Sequence, residues 1–342
     1  MGLKYIIVLV VMWLPQVGLT QSNHYFTLNN VKARPLAMGG AFISVVDDIA
    51  SVQYNPAAFS LYKANTPHRF TFFLNPVSPV FATLEKDDLY SGDGSPVDDL
   101  LLSLGLFMKA VTFSQKSLQV GIILGEENLN RPAIIQRDRF INAAGYRQNH
   151  SHTIFGNVNF ADKVALGGAV NLYYSSTPDL PQISRNKWGI SYGVLLKPER
   201  GLRVGVAFHN LPDSLRQVRS PLENIIDESV NVGISYTLVT GTTISMDVRN
   251  LGEEQNKAIR EFHFGFEQTL ISQLALRGGF FKGDFGKEVF SAGIGILNGN
   301  TFFSFDNQFL HQNFWINYAI VYERSDLSDD TISHFFSFLF RI

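Results

Sequence analysis

Histidines 150 and 152 stand two apart in YRQNHSHT, with Ser151 between them. On a strand, residues two apart share a face, so the two imidazoles could ligate one metal ion. No third ligand stands nearby, and histidines of a lumen or rim account for the pair better. A Ser151–histidine couple is the other chemistry on offer. Neighbours on a strand point to opposite faces, which separates the hydroxyl from either ring. The acidic runs SGDGSPVDD (91–99) and SDLSDD (325–330) lack the spacing of a twelve-residue calcium loop. They read as external loops that could share a divalent ion with lipopolysaccharide. The segment 127–149 carries Arg131, Arg137, Arg139 and Arg147 and reads as a basic external loop or lid within reach of lipopolysaccharide phosphates. These residues predict no enzyme, no metal and no cofactor.

The elements that must position such loops begin with an export signal. In MGLKYIIVLVVMWLPQVGLTQ, Lys4 precedes a ten-residue apolar run, Pro15 ends it, and Gly18 and Thr20 suit a cleavage site after residue 20. Ten residues are too few to cross about 30 Å of hydrocarbon as a helix. The 28 Lys+Arg against 30 Asp+Glu give no hint of a nucleic-acid partner. With zero cysteines there is neither a disulfide framework nor a lipid-bearing cysteine. The 29 Phe, 12 Tyr and 28 Gly point instead to strands.

From Arg69 onward, short runs of Val, Ile, Phe, Tyr and Gly pair across tight turns. LFMKAVTFSQ meets LQVGIILGEE across Lys116-Ser117, and HTIFGNVNF meets VALGGAVNLYY across 161–163. WGISYGVLLKP meets LRVGVAFHNL across 199–201, SVNVGISYTLV meets TTISMDVRNL across Thr240-Gly241, and FHFGFEQTL meets QLALRGGFF across 271–272. VFSAGIGIL is expected to meet TFFSFDNQF across 298–300, and Pro76 and Pro79 leave the second strand open. Short turns at one end and longer connections (85–100, 127–149, 176–187 and 211–228) at the other suit a transmembrane barrel. In VNVGISYTLV, Val230, Val232, Ile234, Tyr236 and Leu238 share one face and Asn231, Gly233, Ser235 and Thr237 the other. A lipid-facing wall around a small, polar interior has that alternation. The fold class is therefore all-β, an antiparallel transmembrane barrel of fourteen to sixteen strands.

The last strand, HFFSFLFRI, sets Phe336, Phe338, Phe340 and Ile342 on one face. Such a stripe resembles the signal read by the bacterial barrel-assembly machinery, although that machinery favours a terminal Phe or Trp.

One stretch does not fit the strand rhythm: RPLAMGGAFISVVDDIASVQYNPAAFS (34–60). It can fold compactly inside a barrel. Asp47 and Asp48 can pair with lumen-facing Arg or Lys or cap a short helix over IASV, and Pro56 ends that helix while biasing Asn55 toward an extended backbone. The stretch resembles the entry segment of the long-chain fatty acid transporter superfamily of outer-membrane barrels, which includes the type IX secretion proteins PorV and PorQ. The match lies in Gly39, Gly40, Asp47, Asp48, Asn55, Pro56 and Ala57. It implies a fourteen-stranded barrel in the outer membrane, a hatch at 21–62 and barrel wall from 63 to 342. Its transporter members imply passive uptake of a hydrophobic ligand, with Leu36, Met38, Phe42 and Phe59 able either to line an apolar pocket or to pack the hatch on the wall. Its secretion members imply an alternative, an accessory barrel whose loops bind secretion-system proteins. The remaining expected partners are outer-membrane lipid, lipopolysaccharide and the assembly machinery.

Overall fold

The computed structural model describes residues 23–27, 30–46, 48–59, 69–80, 96–127, 149–161, 163–177, 180–210, 229–251, 260–270, 274–283, 287–296, 313–325 and 328–342. The signal segment, Asp47, most of the basic segment 127–149 and the connection 211–228 lie outside them. The described strands are β1 (Asn23–Thr27), β2 (Arg69–Leu74), β3 (Met108–Gln115), β4 (Leu118–Glu127), β5 (Asn149–Phe160), β6 (Val164–Thr177), β7 (Leu180–Leu196) and β8 (Leu202–Asn210). They continue with β9 (Ser229–Thr237), β10 (Thr242–Arg249), β11 (Glu261–Leu270), β12 (Leu274–Lys282), β13 (Glu288–Ile296), β14 (Asn313–Ser325) and β15 (Ser328–Arg341). Helices are α1 (Ala33–Ala37), α2 (Ser51–Tyr54) and α3 (Pro96–Phe107), with one 3-10 turn at Pro56–Ala58.

Strands β2 to β15 pair antiparallel in sequence order, and β15 pairs back onto β2, so fourteen described strands close a barrel. Period-two alternation decides which face each residue takes. On β9, Asn231 and Ser235 are buried inside while Ile234 and Tyr236 are exposed outside. The outer face is a band of exposed Phe, Tyr, Ile, Leu and Val, including Phe262, Phe264 and Phe266 on β11. A closed wall with apolar outside and polar inside meets hydrocarbon without leaving an unpaired strand edge. On β15, Phe336, Phe338 and Phe340 are half-buried on the outer face, and Phe335, Ser337 and Leu339 are buried within.

The closing seam is unusual. Only Phe340 and Arg341 of β15 pair with β2, opposite Leu74 and Phe73, and the backbones of Phe72 and Ile342 then exchange two hydrogen bonds of 3.0 Å. Pro76, which has no N–H, follows β2, and the Asn75 side chain accepts from Val77 N (3.1 Å) and Ser78 N (3.2 Å), turning the chain out of the sheet. Higher on the same edge of β15, Thr331 to Phe335 pair with β1 in parallel. The N-terminal segment, expected to lie wholly inside the lumen, thus contributes one strand to the wall before it turns inward.

Four further expectations change. Residues Pro96–Asp99 of the acidic run open helix α3 instead of forming a loop, and Leu106 and Phe107 end that helix instead of starting a strand. Leu100, Leu104 and Phe107 are exposed along α3, and that helical spacing, i, i+4, i+7, was available in the sequence. Residues 176–187 are largely strand, because β6 and β7 run on until Thr177 faces Leu180. Strand β13 pairs with Asn313–Ser325, while TFFSFDNQF lies outside the described residues. Finally, His150 and His152 share the parity of the exposed Ile154 and stand at the start of β5, so of the two places expected they fit the rim, on the outer face, and not the lumen. They are nevertheless buried: His150 stacks on Tyr174 at 4.6 Å, and His152 Nδ1 accepts from Gly125 N at 3.0 Å. Among the described residues no group of three His, Asp or Glu is placed to hold a metal ion.

Removing Phe340, Arg341 and Ile342 should abolish the closing pairs on β2. The truncated chain is expected to lose the unheated-versus-heated mobility shift on a denaturing gel that marks a closed barrel; an unchanged shift would mean β1 alone seals the seam.

Candidate functional site: a hatch fastened to one side of the lumen

Residues 30–59 fill the lumen, and their backbone lies directly on the backbone of the wall. Three pairs of glycines face each other across neighbouring strands beneath it: Gly167 and Gly193, Gly205 and Gly233, Gly265 and Gly279. A Cβ on Gly279 would collide with Gly39 and Met38, and one on Gly193 with the Asn55 side chain. The wall therefore presents glycine at the points where the hatch comes closest. Gly39 and Gly40 supply the matching bend, with φ of 61° and 75°.

Along this contact, the wall's inward polar residues bond the hatch backbone. Asp247 accepts from Phe42 N (2.6 Å) and Ile43 N (3.0 Å). Arg249 donates to Gly40 O, and His263 Nδ1 donates to Gly39 O (2.7 Å). Ser291 accepts from Gly39 N (2.9 Å) and donates to Ala37 O (3.2 Å). His209 Nε2 donates to Tyr54 O (3.1 Å), which leaves Nδ1 to accept from Ser191 Oγ (2.9 Å). Ser191 in turn accepts from Asn171 (3.2 Å), whose Oδ1 accepts from Thr153 (2.7 Å). His209 thus ends a run of side-chain hydrogen bonds that crosses β5, β6, β7 and β8 to reach the hatch. Asn157 Nδ2 reaches Phe59 O (2.7 Å) and Pro56 O (3.3 Å).

Asn55 joins hatch and wall. Its backbone is extended (φ −154°, ψ 108°), as a residue before proline prefers. Its Oδ1 caps the Pro56–Ala58 turn through Ala57 N (3.0 Å), and its Nδ2 donates to Ile43 O (3.0 Å) and to Val194 O of β7 (3.2 Å). Asp48 Oδ1 accepts from Ala50 N (2.9 Å) ahead of α2. Its other oxygen meets Arg34 Nη1 at 3.3 Å, so its cation belongs to the hatch itself and not to the wall as expected. Arg34 grips Glu267 of β11 with two bonds (2.9 and 2.8 Å), and Arg277 of β12 donates to Glu267 (2.6 Å) and to Asn317 (2.9 Å). Burial alone would lower the pKa of Arg34, but the carboxylates of Glu267 and Asp48 more than offset it and hold it above its ordinary value.

The opposite side of the hatch differs. Val31, Ile49, Ala50, Val52 and Phe59 form one apolar cluster with Phe73 of β2, Ala110 of β3, Ile123 of β4 and Leu339 of β15, with Trp315 against it. Phe59 also meets Phe155 edge-on at 5.2 Å. Leu36, Met38 and Phe42 are buried as well: Leu36 among Ala319, Val321 and Phe335, Met38 and Phe42 beside Tyr54 and Ala207. The arrangement holds the hatch by many hydrogen bonds along β5 to β13, and toward β2 to β4 mainly by apolar side-chain contact, beside one bond from Val31 N to Glu126 of β4 (3.0 Å). The wall partners Asp247, Arg249, His263, Glu267 and Arg277 were not singled out from sequence. Their signal was present, since in EFHFGFEQTL the residues Glu261, His263, Gly265 and Glu267 occupy every second place between phenylalanines.

No protein-family model and no curated protein matches this chain. Among solved structures, it is similar to the Ralstonia pickettii toluene transporter TbuX, at 14% identity over 92% of this chain and 98% of that one, with a TM-score of 0.44. It is similar also to the CymD monoaromatic hydrocarbon channel, at 8% identity over 92% and 97%, TM-score 0.42. A Rhodopseudomonas blastica porin matches at 9% over 69% and 77%, TM-score 0.34. At these scores the likeness decides nothing about the lumen; the strand count and closure rest on the pairings above.

Glu267→Gln leaves two buried guanidinium groups short of their shared anion, which should cost about 3–5 kcal/mol and raise single-channel conductance in planar bilayers. Asn55→Ala with Pro56→Ala is expected to make proteoliposomes leakier to small sugars. Permeability at the parent level in a correctly closed barrel would mean that the segment is not a plug.

Proposed function

We propose that this barrel conducts small hydrophobic molecules passively across the outer membrane, along the apolar flank of its hatch. The observation that carries this reading is the one-sidedness of the hatch. Along β5 to β13 the wall hydrogen-bonds the hatch backbone repeatedly, whereas toward β2 to β4 the side chains of Ile49, Val52 and Phe59 meet Phe73, Ala110, Ile123 and Leu339 through hydrocarbon, beside the bond from Val31 N to Glu126. An apolar solute entering that boundary exchanges one dispersion contact for another. A polar solute there would lose its hydration without a partner, at about 1–3 kcal/mol for each group left unpaired. The boundary thus selects by desolvation and needs no specific donor or acceptor. The polar flank keeps the hatch in register while the apolar flank yields, which sets the range of solute sizes admitted.

Native mass spectrometry of the mature protein, gently solubilised from its own membrane, tests the reading. A barrel carrying an apolar adduct that a competing monoaromatic hydrocarbon or fatty acid displaces is the expected result. A bare barrel in a stoichiometric complex with another envelope protein would replace transport with an accessory role in secretion. Ile123→Asp places a carboxylate in the apolar boundary and leaves the polar flank intact. It should cut hydrocarbon uptake into proteoliposomes at least tenfold while sugar exclusion stays at the parent level.

A further inference from the structure

The glycines under the hatch have no room for a side chain, but outer-face glycines such as Gly156, Gly168 and Gly278 do. Gly156 of β5 and Gly168 of β6 stand directly opposite each other and share the parity of exposed Ile154, Leu166 and Val170. A Cβ on Gly168 would meet nothing nearer than Ser191 O at 3.9 Å, and one on Gly156 would be in ordinary contact with Val120 Cγ1 at 3.4 Å and Gln119 O at 3.6 Å. Neither has a positive φ. Crowding and backbone conformation therefore explain neither residue, while glycine within a strand costs roughly 0.5–1 kcal/mol relative to alanine.

What the missing side chains create is a hollow. Val120 and Tyr192 flank the pair in the same row, and Ile122, Ile154, Val170 and Ile190 form the row above. Together with neighbouring atoms of β3 to β7 they enclose an open concavity of about 680 Å³ on the outer wall. Tyr192 stacks on Phe208 at 4.7 Å, which stiffens one bank. Two residues beyond Ile190 on the same face, Trp188 is 63% exposed. Indole rings settle at the level of lipid headgroups, so the hollow lies just below that level, at hydrocarbon depth. Trp188 is also toward the end that carries the long connections 128–148 and 211–228, the external end by the expected orientation. From Trp188 to Tyr192 is about 13 Å along the strand, a length suited to a segment of saturated chain.

We propose that this hollow is a lipid site that holds one acyl chain of outer-leaflet lipopolysaccharide. It is continuous with the lipid-facing band, nothing among the described residues covers it, and at hydrocarbon depth an apolar hollow is filled neither by water nor by a polar group. An acyl chain seated over Gly156 and Gly168, against the Ile154–Val170 row and one bank of the hollow, gains contact on more sides than the bare wall offers.

Gly156→Leu with Gly168→Leu fills the hollow from the protein side, and Gly156→Val alone fills part of it. Native mass spectrometry of barrels taken from outer membrane should show one retained lipopolysaccharide on the parent. Retention should fall at least tenfold in the double variant and by a smaller factor in the single one, with the heated-versus-unheated gel shift unchanged in both. Equal retention in parent and double variant overturns the site, and so does a parent that carries no lipid, retains phospholipid alone, or is paired there with a second copy of the chain.

Discussion

The structure depends on one close contact, a peptide backbone lying on a sheet with no side chains between. Strands β6 and β7, β8 and β9, and β11 and β12 give up side chains in paired positions so that the hatch can cross them at backbone distance, and at that distance short wall residues such as Asp247 and Ser291 reach hatch amides and carbonyls. Restoring even a methyl group on Gly279 would lift the hatch off the wall. Each net hydrogen bond contributes about 1 kcal/mol, and their value lies in number and in fixed geometry, since a buried amide left unmet costs more than a met one gains.

The two flanks of the hatch follow different physics. Hydrogen bonds are directional and short-ranged and resist sliding; apolar contact is neither, and a guest can replace it. Placing Glu267 between Arg34 and Arg277 makes the polar flank still less yielding, because separating them would strand buried charge. The outer wall repeats the theme in another solvent: glycines inside the barrel make space for peptide, and Gly156 and Gly168 outside leave space unfilled.

Much of this was legible in the sequence. Period two and tight turns placed five hairpins correctly, because strand registers with one polar and one apolar face leave a single option. Pro56 and Asn55 announced their local geometry, as proline constrains itself and its predecessor. Partners far apart in the chain were not legible. Arg34 and Glu267 are 233 residues apart, and nothing local distinguishes Glu267 from any lumen carboxylate. Helix α3 was hidden by its acidic start, and the side taken by His150 depended on Ile154, whose exposure only the folded wall reveals.

The parallel strand β1 bears on how the molecule is put together. It occupies Thr331–Phe335 on the edge of the last strand that also receives β2 through Phe340 and Arg341. Strands β1 and β2 thus meet the last strand on one edge, and the hatch lies between them in the chain. The seam of the wall and the roots of the hatch are therefore one place, so a change that loosens the last strand loosens the anchorage of the hatch with it.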